Sequence, residues 1–306
     1  MNTSAIRLAA VLSLVAAPAF AASFDCSKAQ TPVERRICAD PALSALDSEL
    51  AQAYRAALAA SATPVSLRRE QRRWLSSRQD TDGLTAAYRS RFAELKAVPA
   101  AMARMRLAVP VSGLRARCVP IQDELACKVA ASGRLALPAG GAVLWQQQAL
   151  QDAGTSLGQG IVLLKPSVDG RTAIPVAWRA EEGAWLSPPA LVQSPAGPLL
   201  EVQGHYDGTG DFNAGMVFRV SDGSLVELDA DSWTDALARR LPKDLQVWKG
   251  VYLDYRSFRA ATSLWRPHDA NCCPTGGRAQ ISFRLQGEVL AIDQVTVTRG
   301  AKAAAR

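Results

Sequence analysis

The stretch TPVERRICADPALSALDSELAQAYRAAL, residues 31–58, holds two helix starts back to back. Thr31-Pro32-Val33-Glu34 is a capping box with proline at the first helical position, which predicts a short helix through Ile37. Asp40-Pro41 repeats the start signal. Leu43, Leu46, Leu50, Tyr54 and Leu58 then recur at the i, i+3, i+7 spacing of a buried helical stripe. Ser61–Pro64 ends this second helix. A third is predicted from about Ser66 to Arg78, with Leu67, Gln71, Trp74 and Leu75 on one side. Asp80–Gly83 reads as a turn, and Leu84, Tyr88, Phe92 and Leu95 form the stripe of a fourth helix. Arg68, Arg69, Arg72 and Arg73, the densest basic group, read as the solvated face of the third helix.

Beyond Pro99 the pattern changes. Ile161–Lys165, Ala173–Arg179, Leu199–Gln203, Met216–Val220, Ala279–Leu285 and Val289–Val297 are short apolar segments separated by Gly, Pro, Asp and Ser clusters. Ile281, Phe283 and Leu285 alternate with Ser282 and Arg284, as a half-buried strand requires. One helix interrupts the series: Ser232-Trp233-Thr234-Asp235 reads as a capping box, with Trp233, Leu237 and Leu241 on one face before Pro242. The class expected is therefore α+β, a small four-helix module followed by a mainly antiparallel β domain. The boundaries expected are residues 23–97 for the module, 98–105 for a linker and 106–300 for the β domain.

The first residues predict export. A single positive charge at Arg7 precedes the apolar run Leu8–Ala17, Pro18 breaks it, and Ala19-Phe20-Ala21 matches a small-x-small cleavage site. The run is too short to span a bilayer as a helix. Cleavage after Ala21 or Ala22 is expected, and Ser23-Phe24-Asp25 is not the small apolar lead that lipidation of Cys26 would need. The destination is then the periplasm or the medium. The formal net charge is +7, of which Arg7 contributes one. No basic stripe with stacking aromatics is present, so a nucleic-acid partner is not expected; weak attraction to anionic envelope polymers fits the sign of the charge. No later apolar run calls for membrane insertion.

The cysteines are Cys26, Cys38, Cys118, Cys127, Cys272 and Cys273, an even count in an exported chain. Sequential pairing is the expectation. Cys26 and Cys38 bracket one short helix, and a hairpin turn at Gln122-Asp123 would set Cys118 opposite Cys127. Cys272 and Cys273 form a vicinal disulfide or stay reduced; if reduced, they could join His268 in a soft-metal site, imidazole plus two thiolates suiting copper(I) or zinc.

Catalytic patterns are sparse. His205 and His268 are the only histidines, and neither a Gly-x-Ser-x-Gly turn nor a His-Glu-x-x-His pair occurs. Disulfide formation removes a cysteine nucleophile, while a carboxylate pair leaves no spacing signal to read. The loop Gly204–Asn213 carries His205, Asp207, Thr209, Asp211 and Asn213, but lacks the register of a calcium loop and reads as a glycine-rich β connection, with ligand contact as the alternative. No cofactor is expected.

Phe24-Asp25-Cys26-Ser27-Lys28-Ala29, Thr31 through Pro41, Leu43-Ser44-Ala45-Leu46-Asp47 with Tyr54, and Gln71-Arg72-Arg73-Trp74-Leu75 with Arg78 share one pattern. Over residues 23–97 it resembles the LprI-like N-terminal domain, a helical module of exported bacterial proteins named after a lysozyme inhibitor. The resemblance implies a disulfide-stapled helical domain and inhibition of lysozyme. That family carries two further cysteines after its Trp-Leu-x-x-Arg segment, where this chain has Gln79–Gly83 and none. Their joint absence is expected if those two pair with each other, leaving Cys26–Cys38 as an independent bridge. Farther on, Gly208-Thr209-Gly210, Trp248-Lys249-Gly250 and Leu264 through Gly277 resemble proteobacterial envelope proteins and imply no activity.

The function expected is that of an exported, non-enzymatic binding protein, with lysozyme or a cell-wall component as partner. A positively charged chain loses long-range steering toward a basic c-type lysozyme; Arg72 or Arg73 near a helix end would have to address the two carboxylates of its cleft. One alternative is an envelope structural or carbohydrate-binding module, with Trp248 and Trp265 as exposed aromatics beside the Gly204–Gly215 loop. The other is soft-metal handling through His268, Cys272 and Cys273. The residues do not indicate an oligomeric state.

Overall fold

A computed structural model describes residues 22–78, 83–121, 126–138, 140–152, 154–210 and 212–300. The expected export signal, most of the Asp80–Gly83 turn and the Gln122-Asp123 turn lie outside them. The helices are α1 (Pro32–Ala39), α2 (Pro41–Ala60), α3 (Pro64–Ser77), α4 (Leu84–Met105) and, much later, α5 (Trp233–Arg240). Among the described residues no helix is long and apolar enough to cross a membrane. Contacts divide the chain into two compact units, one comprising residues up to Ala57 with Trp74–Ala97, the other Leu58–Arg73 with Val98 onward.

In the helical unit the start signals act as read. Thr31 Oγ1 accepts from Glu34 N and the Glu34 carboxylate accepts from Thr31 N, completing the box. Asp40 Oδ1 accepts from Ala42 N and Leu43 N, which caps α2. Val33, Ile37, Leu43, Leu50, Ala57, Leu84, Tyr88 and Leu95 are buried, so the predicted stripes do face a core. Cys26 and Cys38 are bonded, with Cα atoms 5.7 Å apart, tying a short 3-10 turn (Cys26–Lys28) to the end of α1.

α4 runs on through Pro99, so residues 98–105, expected as a linker, are helical. A proline inside a helix forfeits the bond to the carbonyl four residues back. Tertiary packing offsets that loss, because Met102 and Met105 lie against a core formed by Leu114, Val119, Val162, Leu164 and Trp178.

The second unit is built on antiparallel sheets. The first has order β1 (Val109–Pro110), β5 (Thr172–Ala180), β4 (Thr155–Pro166), β3 (Ala142–Asp152), β2 (Ala126–Ala136). A two-stranded pair joins β6 (Ala184–Leu186) to β9 (Gly204–Tyr206). A four-stranded sheet has order β11 (Ser224–Glu227), β10 (Met216–Ser221), β8 (Gly197–Val202), β7 (Ala190–Ser194). The last has order β12 (Leu253–Asp254), β13 (Arg259–Leu264), β14 (Gly277–Gln286), β15 (Val289–Arg299). Each strand segment expected from the sequence lies in one of these, except that Gln203 falls just past the end of β8.

The layers explain the sequence texture. β4 is buried on both faces, Ile161 and Leu163 entering one core while Val162 and Leu164 enter another, hence its unbroken apolar run. Each such side chain contributes roughly 1.5–3 kcal/mol of burial. In β10, Met216, Phe218 and Val220 face that first core, and Val217 faces a third. The third core holds Trp233, Leu237 and Leu241 of α5 and the inner row Ala279, Ile281 and Phe283 of β14. The expected capping box of α5 does not form: Ser232 has helical φ/ψ of −64° and −14° and its side chain caps nothing. Asp229 Oδ1 instead accepts from Ser232 N (2.9 Å) and Asp231 N (3.2 Å).

Candidate functional site

The four arginines of α3 do not share one solvated face. Arg69 is buried, and its guanidinium meets Asp231 directly and Glu181 at 3.8 Å. Arg179, at the end of β5, reaches the same Glu181 oxygen at 3.5 Å, donates to Ser66 Oγ at 2.7 Å and caps the Ala214 and Gly215 carbonyls. Tyr206 donates to the other oxygen of Glu181. Glu227 closes the start of α3, accepting from Val65 N (2.8 Å) and Ser66 Oγ (2.9 Å). All of these residues belong to the β unit.

Opposed forces set their protonation. Burial pushes Glu181 up, but the Arg179 guanidinium, the Tyr206 hydroxyl and Arg69 together hold it below the ordinary carboxylate range. For Glu227 burial prevails and its carboxyl is pushed up, despite the donors from Val65 and Ser66. Arg179 is shifted down, first by burial and then by neighbouring Arg69. Both oxygens of Glu181 are spoken for, so the cluster acts as a clamp between β5, β9, α3 and the segment before α5.

The two arginines expected to address a partner's carboxylates are exposed and also have neighbours within the chain. Arg72 lies 3.5 Å from Asp229, and the Arg73 guanidinium sits 5.9 Å from the centre of the Tyr206 ring. The physical reason is that the β unit supplies its own carboxylates and an aromatic face at that end of α3.

The Gly204–Asn213 segment is a pinned connection. His205 pairs with Asn213 across a bridge, and Tyr206 N donates to Phe212 O at 2.8 Å. Asn213 exchanges two side-chain bonds with Val251, and Gly250 N donates to Gly210 O. Asp207 accepts from the Trp185 indole, while His205 and Thr209 are exposed. Asp211 lies outside the described residues. Trp248 is 42 % exposed, but Trp265 is 4 % exposed and donates its indole N–H to Ala270 O, so it is no surface platform. Its backbone bridges that of Gln246, and its indole bond to Ala270 ties it to the loop that follows.

That loop, Arg266–Gly276, is organised by Asp269. Its carboxylate accepts from Arg266 N, Thr275 N and Thr275 Oγ1 at 2.7–2.8 Å. The glycines follow from crowding: a Cβ at Gly276 would stand 2.5 Å from Leu264 O, and one at Gly277, whose φ is +99°, 2.0 Å from Thr298 O. Cys272 and Cys273 are exposed and bonded to each other, as Cys118 is to Cys127. The bond consumes both thiolates that a soft-metal site with His268 would need. Among the described residues no group of three or more His, Cys, Asp or Glu side chains is placed to hold a metal ion.

The helical unit has a polar centre and an open groove beside it. Tyr88 is buried; its hydroxyl donates to Asp47 Oδ1 at 3.1 Å and receives the Arg78 guanidinium. Trp74 meets the Tyr88 ring edge-on with centroids 5.0 Å apart, and Arg78 lies over both rings. Ser23 N donates to the second Asp47 oxygen at 2.7 Å. Beside this centre Pro32, Glu34, Leu75 and Arg78 line a groove of about 360 Å³, in which Leu75 is 43 % exposed. An apolar side chain flanked by one anion and one cation suits contact with a protein surface.

Residues 25–108 match the family model of lysozyme inhibitor LprI. The match contains every element of the LprI-matching helical unit from Asp25 onward and continues through α4 to residue 108, past the boundary at 97. No curated protein matches the chain. The Trp74, Arg78, Tyr88 and Asp47 contacts therefore fall inside the matched segment, and the arginine–carboxylate clamp joins residues of that segment to later ones. The sequence pattern pointed to Trp74 and Arg78; the clamp escaped it because its partners are distant in the chain.

Proposed function

We propose that this chain is an exported, non-enzymatic binding protein that inhibits lysozyme through its helical unit. The observation that carries the reading is the match of residues 25–108 to lysozyme inhibitor LprI. Charge supports it. Residues 23–57 and 74–97 carry eight basic and eight acidic side chains, so the positive excess of the mature chain resides entirely in the other unit. A basic lysozyme approaching the helical unit meets no net local repulsion at separations beyond the roughly 8 Å screening length. The Leu75 groove is the surface we assign to the contact, in place of Arg72 and Arg73.

The test uses the mature full-length chain and hydrolysis of a small soluble oligosaccharide by c-type lysozyme, alongside direct titration of the two proteins. Stoichiometric inhibition is expected, weakened about tenfold or more by Leu75→Glu, since a buried interface charge without a partner is costly. Hydrolysis unaffected at a tenfold excess of the chain would refute the reading.

A further inference from the structure

The last sheet, β12-β13-β14-β15, turns one face to the third core and the other outward. The outward side chains stand in cross-strand rows. Arg259, Ser282 and Gln294 form one row, and Ala261, Gln280 and Thr296 the next. Neighbours in such rows lie close enough to serve one ligand, with Cβ atoms roughly 5 Å apart. The face is not flat: it bounds a groove of about 570 Å³, within the range of small-molecule sites. Ala261 sets the depth, as an exposed alanine between longer side chains. Tyr252, 48 % exposed, stands on the rim.

The chemistry of this lining selects its occupant. The side chains of Gln280, Ser282, Gln294 and Thr296 make no hydrogen bond among the described residues, so amide and hydroxyl donors and acceptors face the groove unspent. Asp254 and Arg259 are direct cross-strand partners, one anion beside one cation, which favours neither a polyanion nor a polycation. Asp254 is held in place by Arg256 N at 3.0 Å and Ser257 Oγ at 2.7 Å. A lipid would need an apolar lining, whereas most residues lining this groove are polar.

We infer that this groove binds an uncharged glycan strand. Hydroxyl and acetamido groups of the sugar would pair with Gln280 and Gln294, Ser282 and Thr296, and a ring C–H face would rest on Tyr252. The inference concerns the β unit and does not rest on lysozyme inhibition. It moves the glycan site from the Gly204–Gly215 loop, where Trp265 is buried, to the outer face of the sheet.

The experiment is calorimetric titration of the mature chain with the hexamer of β-1,4-linked N-acetylglucosamine. Saturable binding is expected. Gln280→Ala with Gln294→Ala should weaken it about tenfold, which is about 1.4 kcal/mol. Ala261→Trp, which fills the floor and removes no polar group, should abolish it, while Trp248→Ala should leave it unchanged. All substitutions lie on exposed positions, so thermal unfolding should stay within a few degrees of the wild type. Absence of saturation with the wild-type chain at millimolar hexamer would overturn the site, as would binding that survives Ala261→Trp or vanishes in Trp248→Ala. Lysozyme inhibition measured on Ala261→Trp should be unchanged, which keeps the two readings separable.

Discussion

Arg69 and Arg72 stand three residues apart on one helix and should respond very differently to removal. Arg69→Met strands the Asp231 carboxylate and takes one of two cations from Glu181, each with about a quarter of its side chain still in water (26 % and 28 %). The expected loss is about 3 kcal/mol, the lower end for a broken buried pair. Arg72→Ala, whose side chain is 41 % exposed, should cost under about 1 kcal/mol. Urea unfolding at neutral pH separates them; equal costs would dismiss the clamp. The two glutamates should differ in sign with pH. Glu181, held low, contributes stability that is present above the ordinary carboxylate value and is lost as pH falls through its folded value. Glu227, held high, costs stability while charged, and that cost is relieved as pH falls toward the ordinary value. Titrated downward from pH 7, the wild type should therefore gain on Glu227→Gln and, at the acid end, lose its advantage over Glu181→Gln. A pH-independent difference for both would contradict the assignment. None of this was legible in the run Arg68-Arg69-Glu70-Gln71-Arg72-Arg73, because the Asp231 partner of Arg69 lies 162 positions away.

Helix stripes and start signals were legible because capping and periodicity are local. Thr31 and Asp40 cap their helices as the sequence predicts, and Trp233, Leu237 and Leu241 of α5 are buried as a stripe. The cap of α5 shows where locality ends. Ser232→Ala should change stability by a few tenths of a kcal/mol at most, since its side chain makes no cap bond. Asp229→Ala should cost about 1–2 kcal/mol, the ordinary worth of a lost cap. Thermal unfolding ranks the pair, and the opposite ranking would restore the serine cap. Strand β3 escaped the reading for a related reason. Its Gln146 and Gln148 look like solvent-facing residues, yet they are 0 % and 1 % exposed. Gln146 spends its amide on Val119 N and on the Leu114 and Arg117 carbonyls, and Gln148 donates to Val119 O, contacts that no periodicity encodes.

At the scale of the whole chain, two measurements bear on the expected export. Intact mass of the exported protein should place its first residue at Ala22 or Ser23 without an acyl group; a retained Met1 or a lipid on Cys26 would reverse the export argument. Peptide mapping without reductant should return Cys272 and Cys273 on one peptide, two hydrogens lighter and joined to no other. The class and the order of helices before sheets were legible; how contacts apportion α3 was not, since Pro64–Arg73 groups with residues far downstream. That apportioning bears on inheritance. A recombination event that lifted residues 25–108 into another gene would carry Arg69 and Ser66 away from Asp231, Glu181, Arg179 and Glu227. The cation would arrive in its new host without its counterions, and the donor would keep the Asp231 carboxylate without its cation. The segment is thus no freely exchangeable cassette. Lineages of this chain should show compensating changes at position 69 and at positions 181 or 231, and the two parts should descend together.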